Sequence, residues 1–352
     1  MINSDTIKKI DNSKMFDVLK NFPSQVEDAV NIAGKADLKK FETKEINNII
    51  ITGLGGSAIG GDLIRSYTNY EIKLPVSVNR NYILPRYADK NTLVIISSYS
   101  GNTEETISAY QDAIKRNCRV ICISSGGEVE KMASKNNHIL IKVPKGYQPR
   151  CAIGYSFFSL LVLFSRLKFI SDKKEEIKKT IELIKSNSQK YTEINADNNT
   201  AIYLANIIKN HLPIIYSSTD ILDIVNLRWR GQFSENAKIL AYGNYYPEMN
   251  HNELVGWNKN EEILKKLIVI MFRDTDDNER IKIRMDITKK TFEKFASEIL
   301  EIGGNGNSRL ERIFDLIYLG DWVSYYVAIL NGVDPTPVDV IENLKKELAK
   351  YK

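Results

Sequence analysis

Short apolar runs alternate with helix-like stretches through the first half of the chain. The runs are rich in β-branched residues and occupy 47–52, 76–79, 93–97, 120–124 and 139–143. Most are followed by a stretch of about ten to fourteen residues with apolar positions at helical spacing. Strands that alternate with helices in this way form a parallel sheet covered by helices. We therefore predict one α/β domain over residues 46–170.

A similar layout begins again at residue 199. Its predicted elements are a helix over 201–209, a strand over 212–217, a helix over 221–234 and strands over 267–272 and 298–302. Gly and Ser are less concentrated in its turns. The pattern predicts an α/β fold with a second domain over 199–336, so that two tandem domains each contain a parallel sheet flanked by helices in a flavodoxin-like three-layer sandwich.

Three segments lie outside these domains. Residues 1–45 have apolar positions at helical spacing that are interrupted by Pro23, and we expect their apolar face to pack on the following sheet. Residues 171–198 form a lysine-rich helical connector, and the domain boundary is expected within it. Residues 337–352 form a C-terminal helix.

The segment 308–330 is apolar on more than one side and includes Trp322, Tyr325 and Tyr326. Such a helix is typical of a domain core or a subunit interface. No run in the chain approaches the roughly 18 apolar residues of a membrane helix, and the N-terminal residues lack the pattern of a signal segment. We therefore expect a cytoplasmic protein.

Composition and charge exclude several classes. At 352 residues, with 43% hydrophobic and 26% charged residues, the chain has the profile of a globular protein of about two domains. The net charge of +5 comes from 49 basic residues interleaved with 44 acidic ones, which favours small anionic substrates over nucleic acid. Cys118, Cys122 and Cys151 lack metal-ligand spacing and are expected to be reduced core thiols.

Two turns rich in Gly and hydroxyl residues follow predicted strands. One contains Gly55, Gly56 and Ser57, and the other, residues 97–103, reads Ser-Ser-Tyr-Ser-Gly-Asn-Thr. Ser and Thr are also common turn and N-cap residues, so either turn alone has a purely structural interpretation. Together, at the carboxyl edge of one parallel sheet and at helix N-termini, they predict an anion site suited to phosphate.

The glycines do not form a known nucleotide motif. Gly53, Gly55 and Ala58 approximate the dinucleotide pattern, but the strand about 20 residues further on ends in Asn79-Arg80 rather than in an acidic residue. No Gly-Lys-Ser/Thr follows the glycines, which argues against a nucleoside triphosphatase. A third small turn, residues 124–127, is interpreted as a plain turn.

At this point the sequence resembles a known family. The two turns resemble the phosphosugar-binding pattern of sugar isomerase (SIS) domains. Pro149-Arg150-Cys151-Ala152, Glu235-Asn236 and residues 250–253 (Asn-His-Asn-Glu) make the chain resemble more narrowly the bifunctional phosphoglucose/phosphomannose isomerases of archaea and bacteria. The resemblance covers most of the chain. It implies two tandem SIS-type domains and an aldose-ketose isomerase that interconverts glucose 6-phosphate and mannose 6-phosphate with fructose 6-phosphate.

The resemblance also implies roles for particular residues. The implied substrate-binding residues are Gly55, Gly56, Ser57, Ser98, Ser100, Thr103, Arg150 and Thr336. Arg150 would neutralise the charge of an enediolate. Thr336 lies in an Asp-Pro-Thr-Pro-Val turn and would contact the sugar near C1 and C2. The C-terminal helix would supply a catalytic lysine, Lys345, with its neighbour Lys346 as the alternative register.

Glu235 and His251 carry the chemistry in this interpretation. A glutamate at a helix end is ordinarily a surface charge, but aldose-ketose isomerisation needs one base that moves a proton between C2 and C1 through an enediol. By the motif match, Glu235 is this base. Opening the sugar ring needs a separate acid, and an imidazole suits this step. By the same match this acid is His251, whereas His138 and His211 are expected to be structural.

The resemblance implies no cofactor, no metal and a homodimer. The neighbouring subunit would supply His251, and the apolar helix around residues 322–330 would offer the contact surface. Two other classes stay open, a non-catalytic phosphosugar sensor and an aminosugar-phosphate isomerase or synthase-like enzyme. Against them stand the combination of Glu235, His251 and Arg150, the lack of a helix-turn-helix, and the lack of an early cysteine for an amidotransferase.

Overall fold

The computed structural model describes residues 2–39, 41–194 and 197–351. Its strands are β1 (Asn48–Thr52), β2 (Val76–Asn79), β3 (Thr92–Ser98), β4 (Arg119–Ser124), β5 (Ile139–Lys142), β6 (Leu212–Ser218), β7 (Tyr242–Tyr246), β8 (Leu267–Arg273) and β9 (Glu298–Gly303). The α-helices are α1 (Ser4–Ile10), α2 (Met15–Lys20), α3 (Phe22–Lys35), α4 (Gly55–Thr68), α5 (Glu104–Lys115), α6 (Gly127–Lys135), α7 (Ser159–Arg166), α8 (Lys174–Thr192), α9 (Thr200–Ile208), α10 (Asp223–Gln232), α11 (Glu261–Leu264), α12 (Glu279–Phe292), α13 (Arg309–Leu330) and α14 (Asp339–Leu348).

Short helical segments of other types complete the secondary structure. Two are π-helical, Gly154–Phe158 before α7 and Phe233–Ala237 after α10. Three are 3₁₀-helical, Pro149–Cys151, Glu248–His251 and Glu253–Gly256.

The first sheet has five parallel strands in the order β2-β1-β3-β4-β5. This is the strand order of flavodoxin-like sheets, which confirms the predicted fold class for this half of the chain. Apolar side chains line both faces of the central strands; Ile50 and Ile51 pair with Val94 and Ile95, and all of them are fully buried. The chain order reverses between β1 and β3, so the turns that follow these two strands meet at the ligand-binding position of such sheets.

The second sheet has four parallel strands in the order β7-β6-β8-β9. It repeats the first four positions of the first sheet, which confirms the prediction of two α/β units. The sequence did not predict β7, the edge strand. Its sequence, Tyr-Gly-Asn-Tyr-Tyr, has no alternation of apolar and polar residues, and Gly243 lies so close to β6 that a Cβ there would be 2.2 Å from the Ile215 carbonyl oxygen.

The chain divides into two compact units, each built on one sheet. The first-sheet unit contains Asn21–Lys185 and Gly306–Glu311. The second-sheet unit contains Met1–Lys20, Ser186–Asn305 and Arg312–Lys352. Within the predicted connector, the chain passes from one unit to the other between Lys185 and Ser186, inside α8.

The N-terminal lead-in forms three helices, and α3 belongs to the first-sheet unit. Pro23 lies in the first turn of α3. The buried face of α3 packs mainly on the helical stretch 154–166, with a smaller contact to β5, so the expectation that it packs on the sheet holds only in part. Gln25 fixes this packing, because its amide donates to the Cys151 carbonyl and accepts from the Gly154 N–H, both at 2.9 Å.

Helix α13 forms the core of the second-sheet unit. Trp322, Tyr325 and Tyr326 are fully buried in their own chain, so the prediction that this helix offers a subunit contact surface was wrong. The helix is 22 residues long and apolar enough to cross a membrane, contrary to expectation, but 94% of its most apolar window is buried within the protein. The tyrosine hydroxyls have partners inside the unit, since Tyr325 donates to Asp11 at 3.1 Å and Tyr318 to the Leu19 carbonyl at 2.8 Å.

Candidate active site

The turn between β1 and α4 contributes Gly55, Gly56 and Ser57 to the carboxyl edge of the first sheet. Gly55 has a φ of +51°, a conformation that favours glycine. The buried Ser57 hydroxyl accepts a hydrogen bond from the Tyr99 N–H at 3.1 Å. This bond links the turn directly to the one that follows β3.

The turn between β3 and α5 gathers three hydroxyl groups. Ser98 donates to Thr103 Oγ1 at 3.3 Å, and the Asn102 N–H donates to Ser100 Oγ at 3.3 Å. Thr103 is the N-cap of α5, but its side chain makes no capping hydrogen bond. The hydroxyls and the helix N-terminus therefore lie together in one short turn, an arrangement that suits a bound anion.

The third turn, residues 124–127, supports the second. The Ser125 N–H and hydroxyl both donate to the Tyr99 carbonyl, at 3.0 and 2.7 Å, and the Glu128 N–H donates to Asn102 Oδ1 at 3.0 Å. Gly101 has a φ of +71°, and a Cβ there would lie 1.8 Å from the Gly126 carbonyl oxygen. The sequence interpretation of a plain turn missed this supporting role.

Arg150 lies against the N-terminus of α4. It is only 3% exposed and belongs to the 3₁₀ segment Pro149–Cys151. A Cβ on Gly56 would lie 2.4 Å from the Pro149 carbonyl oxygen and 3.1 Å from the Arg150 nitrogen, so only glycine allows this approach. The structure thus brings a buried cation into the same unit, next to the turn that contains Ser57.

Glu235 lies in the π-helical segment Phe233–Ala237 of the second-sheet unit and is half-buried. It lines a groove of about 660 Å³ together with apolar side chains. Among these are Ile239, Leu240, Val333, Pro337, Val338 and Ile341. A carboxylate at an apolar groove is suited to accept a proton from a bound organic molecule. π-Helical turns inside α-helices are frequent at functional sites.

Lys238 joins the Glu235 segment to the turn that contains Thr336. Its ammonium group donates to the carbonyl of Glu235, to that of Pro335 at 3.3 Å and to that of Pro337 at 2.6 Å. Lys238 itself has a φ of +58°, in the left-handed region. Thr336 is thereby held beside the Glu235 groove. The sequence analysis missed Lys238, because a lysine at a helix end gives no pattern that distinguishes it from a surface charge.

Lys345 and Lys346 lie on α14, whose residues are all exposed. Lys345 follows Ile341 by one helical turn, and Ile341 lines the Glu235 groove. Asp339, which also lines the groove, precedes Lys346 by two helical turns, so the helix spacing leaves both lysines as candidates. The apolar residues Val340, Leu344 and Leu348 of the same helix are 84%, 58% and 52% exposed.

His251 is exposed at the end of a well-anchored loop that follows β7. Met249 and Trp257 bury their side chains on either side of it. Glu253 accepts hydrogen bonds from Tyr216 Oη at 2.5 Å and Asn244 Nδ2 at 2.7 Å. The loop therefore presents His251 on the surface rather than in the Glu235 groove.

The other two histidines have structural hydrogen bonds. The Tyr110 hydroxyl lies 2.7 Å from Nδ1 of His138. His211 pairs through Nδ1 with the Ile207 carbonyl and through Nε2 with the Ser297 hydroxyl, both at 3.0 Å.

The cysteines are free and buried, which confirms the prediction of reduced core thiols. Burial raises the pKa of Cys118 to about 11 and that of Cys122 to about 12.

The carboxyl edge of the second sheet has a different chemistry. Asp274 follows β8 and is paired with Arg312, whose Nε and Nη2 donate to the two carboxylate oxygens at 2.9 and 3.0 Å. Asp277 accepts from the Ser218 hydroxyl and from the Asp274 N–H. Burial raises the pKa of the Asp277 carboxyl. Where the first sheet presents hydroxyls and backbone N–H groups, this edge presents carboxylates.

The structure thus places the predicted residues in two sets. The first-sheet unit brings together Gly55, Gly56, Ser57, Ser98, Ser100, Thr103 and Arg150. The second-sheet unit brings together Glu235 and Thr336 through Lys238, while His251 and Lys345 are exposed. Among residues 2–39, 41–194 and 197–351, no group of three His, Cys, Asp or Glu side chains is arranged to hold a metal ion.

Comparison with known proteins agrees with this division. Residues 43–167 match the family model of the SIS domain. Residues 197–348 match that of the bacterial phospho-glucose isomerase C-terminal SIS domain.

Curated relatives extend the similarity over the whole chain. A bifunctional phosphoglucose/phosphomannose isomerase of Caldicellulosiruptor bescii is 45% identical over 96% of this chain and 100% of its own. One of Aquifex aeolicus is 39% identical over 86% of this chain and 91% of its own. A solved structure of a glucose-6-phosphate isomerase like protein from Thermus thermophilus shares the fold, with a TM-score of 0.62 at 17% identity over 98% of both chains.

Proposed function

The chain belongs to the family of bifunctional phosphoglucose/phosphomannose isomerases, and we propose that it interconverts glucose 6-phosphate and mannose 6-phosphate with fructose 6-phosphate. The observation that carries the proposal is the set of hydroxyls, helix N-termini and buried Arg150 at the edge of the first sheet. Such a set is complementary to a phosphate monoester and its sugar, because it combines hydrogen-bond donors with positive charge.

The phosphate group is bound by Ser57, Ser98, Ser100 and Thr103 in this proposal. Their hydroxyls belong to two adjoining turns, and the uncapped start of α5 adds backbone N–H donors. Gly55 and Gly56 let the backbone approach the ligand without a Cβ in the way. Because these contacts are made to the phosphate group, they do not depend on the configuration at C2. The same residues can therefore bind both glucose 6-phosphate and mannose 6-phosphate.

Glu235 is the base that moves the proton. Its carboxylate removes the proton from C2 of the open-chain aldose, and the electron pair of that C–H bond forms the C1–C2 double bond of an enediolate. The C1 carbonyl electrons move to O1, and a proton passes from the C2 hydroxyl to O1. Protonation of C1 by the same carboxyl, as the C2 carbonyl forms, then gives the ketose. The half-buried groove around Glu235 limits the access of water to this carboxyl. Arg150 is assigned to stabilise the enediolate charge, Lys345 to assist the catalysis, and Thr336 to contact the sugar near C1 and C2.

Ring opening is assigned to His251, which donates a proton to the ring oxygen. Because this residue is exposed on a loop anchored by hydrogen bonds to Glu253, it is suited to serve the active site of a second copy of the chain. We propose a homodimer in which His251 acts in the neighbouring subunit. The exposed apolar face of α14 supports such an association. We assign the subunit contact to this face in place of residues 322–330, which are buried.

The remaining predictions belong to the same proposal. We propose that the enzyme is cytoplasmic, that it takes part in glycolysis, gluconeogenesis and mannose metabolism, and that it needs no cofactor or metal. The domain limits also stay a prediction, with residues 1–45, 46–170, 171–198, 199–336 and 337–352 as the five segments and the last of them contributing to the active site.

A coupled assay of the purified protein tests this proposal. We expect turnover of both glucose 6-phosphate and mannose 6-phosphate to fructose 6-phosphate, with rates unchanged by EDTA. Glu235→Gln should bind the sugar phosphates but lower kcat by roughly 10³-fold, because the amide keeps the shape and cannot accept the proton.

Three results would count against the proposal in different ways. Loss of turnover with EDTA would refute the metal-free reaction. A Glu235→Gln variant with more than about a tenth of wild-type turnover would remove Glu235 from the role of base. Sugar-phosphate binding without any turnover by the wild type would favour the phosphosugar-sensing alternative.

A further inference from the structure

A buried polar cluster joins the Glu235 segment to the middle of α13. Arg228, Gln232 and Asn236 follow each other at four-residue spacing on one side of α10 and its π-helical extension. Asp321 and Ser324 face them from α13. We call these five residues the anchor cluster; each is at most 3% exposed.

Hydrogen bonds connect the cluster in an unbroken series. Arg228 Nη2 donates to both carboxylate oxygens of Asp321 at 2.8 Å, and Gln232 Nε2 donates to Asp321 Oδ1 at 2.7 Å. The Ser324 hydroxyl donates to the Asp321 carbonyl at 2.9 Å and accepts from Asn236 Nδ2 at 3.0 Å. The series thus ends at the residue that directly follows Glu235.

The two helices are in direct contact at the same place. A Cβ on Gly320 would lie 2.2 Å from Trp229 Nε1, and that nitrogen donates to the Leu316 carbonyl at 2.8 Å. The close packing and the hydrogen bonds fix both the distance between the helices and their register. A shift of α10 by one residue would break every hydrogen bond that joins it and its π-helical extension to α13.

Stability alone does not account for such a cluster. A buried ion pair is no more stabilising than apolar residues of the same volume, because both charges lose their hydration. Buried polar groups do specify one arrangement, since any other leaves a charge without its partner. A π-helical turn also needs such constraints, because it is rare and less favourable than the α-helix that would replace it.

We propose that Asp321 and Ser324 are positioning residues that hold the Glu235 carboxylate in place for proton transfer; this rests on the proposed isomerase function. One carboxylate has to serve both C2 and C1, so its orientation limits the rate more than the affinity for the sugar. Asn236 transmits the constraint, because it is bonded to Ser324 and adjacent to Glu235. Arg228 and Gln232 fix Asp321 in turn.

The Ser324→Ala variant tests the proposal with the least disturbance. It removes the bond to Asn236 and leaves the Arg228–Asp321 pair intact. We expect kcat to fall by about tenfold while KM stays within about twofold, because the base is displaced and the phosphate contacts are unchanged. In D₂O the product should also contain more deuterium per turnover, because a poorly placed base transfers the C2 proton to C1 less directly.

Tyr318→Phe is the matched control. It removes the buried hydrogen bond of the same helix from the Tyr318 hydroxyl to the Leu19 carbonyl, and it leaves the hydrogen bonds of the anchor cluster in place. We expect a lower Tm with unchanged kcat and deuterium content. A double variant, Arg228→Met with Asp321→Leu, replaces the ion pair by apolar groups. It leaves the buried Gln232 amide without its acceptor, so its Tm should fall about as far as that of Tyr318→Phe, while kcat should fall by about tenfold or more.

The outcomes separate this proposal from the proposed function. If the wild type isomerises the sugars and Glu235→Gln is inactive, but Ser324→Ala and the double variant keep wild-type kcat, the anchor cluster does not position the base. The same conclusion follows if Tyr318→Phe lowers kcat as much as Ser324→Ala does, because the effect is then one of general stability. Failure of the wild type to isomerise any sugar phosphate refutes the proposed function itself.

Discussion

His138 shows how burial alone sets the charge of a residue. Its ring lies beside Tyr110, with Nδ1 2.7 Å from the tyrosine hydroxyl. Burial lowers the pKa of His138 below its ordinary value of 6.5. In the unfolded chain the ring takes up a proton as the pH falls through about 6.5, whereas in the folded protein it stays neutral to a lower pH. The unfolded state then binds more protons, so acid weakens the fold.

The expected result is a pH-dependent loss of stability that His138→Gln removes in part. Denaturant unfolding at pH 7.5 and at pH values below about 6.5 should show the free energy of unfolding falling more in the wild type than in the variant. Glutamine keeps an acceptor for the Tyr110 hydroxyl but does not titrate. Equal losses in both proteins would mean that other groups account for the acid sensitivity.

At the residue scale, the positions that the sequence reveals are those with a local motif. Ser57, Ser98 and Arg150 lie next to or near glycine or proline, which indicate turns, and the resemblance to a family supplied their roles. Lys238, Asp321 and Ser324 have no such motif. Apart from the local bonds of Lys238 to Glu235 and of Ser324 to Asp321, their side-chain hydrogen bonds join residues 88 or more positions apart, as in the bond from Asn236 to Ser324, and only the fold brings these residues together.

At the element scale, the turn between β3 and α5 is built from its own residues and from the turn after β4. Ser100 is exposed and Thr103 half-buried, so both hydroxyls are accessible to a ligand. Within the turn, Ser100 Oγ accepts from the Asn102 N–H and Thr103 Oγ1 accepts from the Ser98 hydroxyl, and both hydrogen bonds are long at 3.3 Å. Hydrogen bonds to a charged phosphate are stronger than these, so ligand binding can replace them.

Ser100→Ala and Thr103→Ala should therefore raise KM for each sugar phosphate by roughly tenfold, with little change in kcat. Steady-state kinetics with both aldose phosphates measure this effect. Ser77→Ala is the matched control, because it removes an accessible hydroxyl of the same unit that is bonded to Tyr87 instead. A large fall in kcat with unchanged KM would place these hydroxyls in the chemical step and not in phosphate binding.

Buried strands and helices with apolar spacing were predicted within a few residues, as for β3, β6 and α5. The edge strand β7 and the helix α12 were not, and both carry many polar residues. An edge strand gains its conformation from pairing with a neighbour, which in this case is β6. The sequence also did not predict the π-helical segment Phe233–Ala237, because this segment depends on contacts with α13 rather than on the local conformational preference of its residues.

At the scale of the whole molecule, the exposed groups suggest how copies of the chain work together. His251 is exposed on an anchored loop, and the apolar face of α14 lies on the surface. The sequence assigned the subunit contact to residues 322–330, because apolar residues on several sides suit a core and an interface equally. In the proposed homodimer, α14 takes the place of that helix as an exposed apolar surface that a second copy would cover.

Mixing two inactive variants tests the exchange of His251 between subunits. Glu235→Gln chains and His251→Ala chains should recover activity together, because a mixed dimer contains one site with both intact groups. With random reassortment about half the dimers are mixed, so recovery should approach roughly a quarter of wild-type activity. If the mixture stays inactive after subunit exchange has been demonstrated, His251 serves its own chain.

The carboxylates at the edge of the second sheet determine how many ligands one chain takes up. Two units of the same strand order offer two equivalent positions for an anion. In the second unit, however, Arg312 is already ion-paired with Asp274, and Asp277 lies beside this carboxylate. An incoming phosphate would meet negative charge there and displace a guanidinium–carboxylate pair. We therefore expect one phosphosugar per chain at saturation, with the second-sheet unit supplying the proposed catalytic groups rather than a second phosphate position.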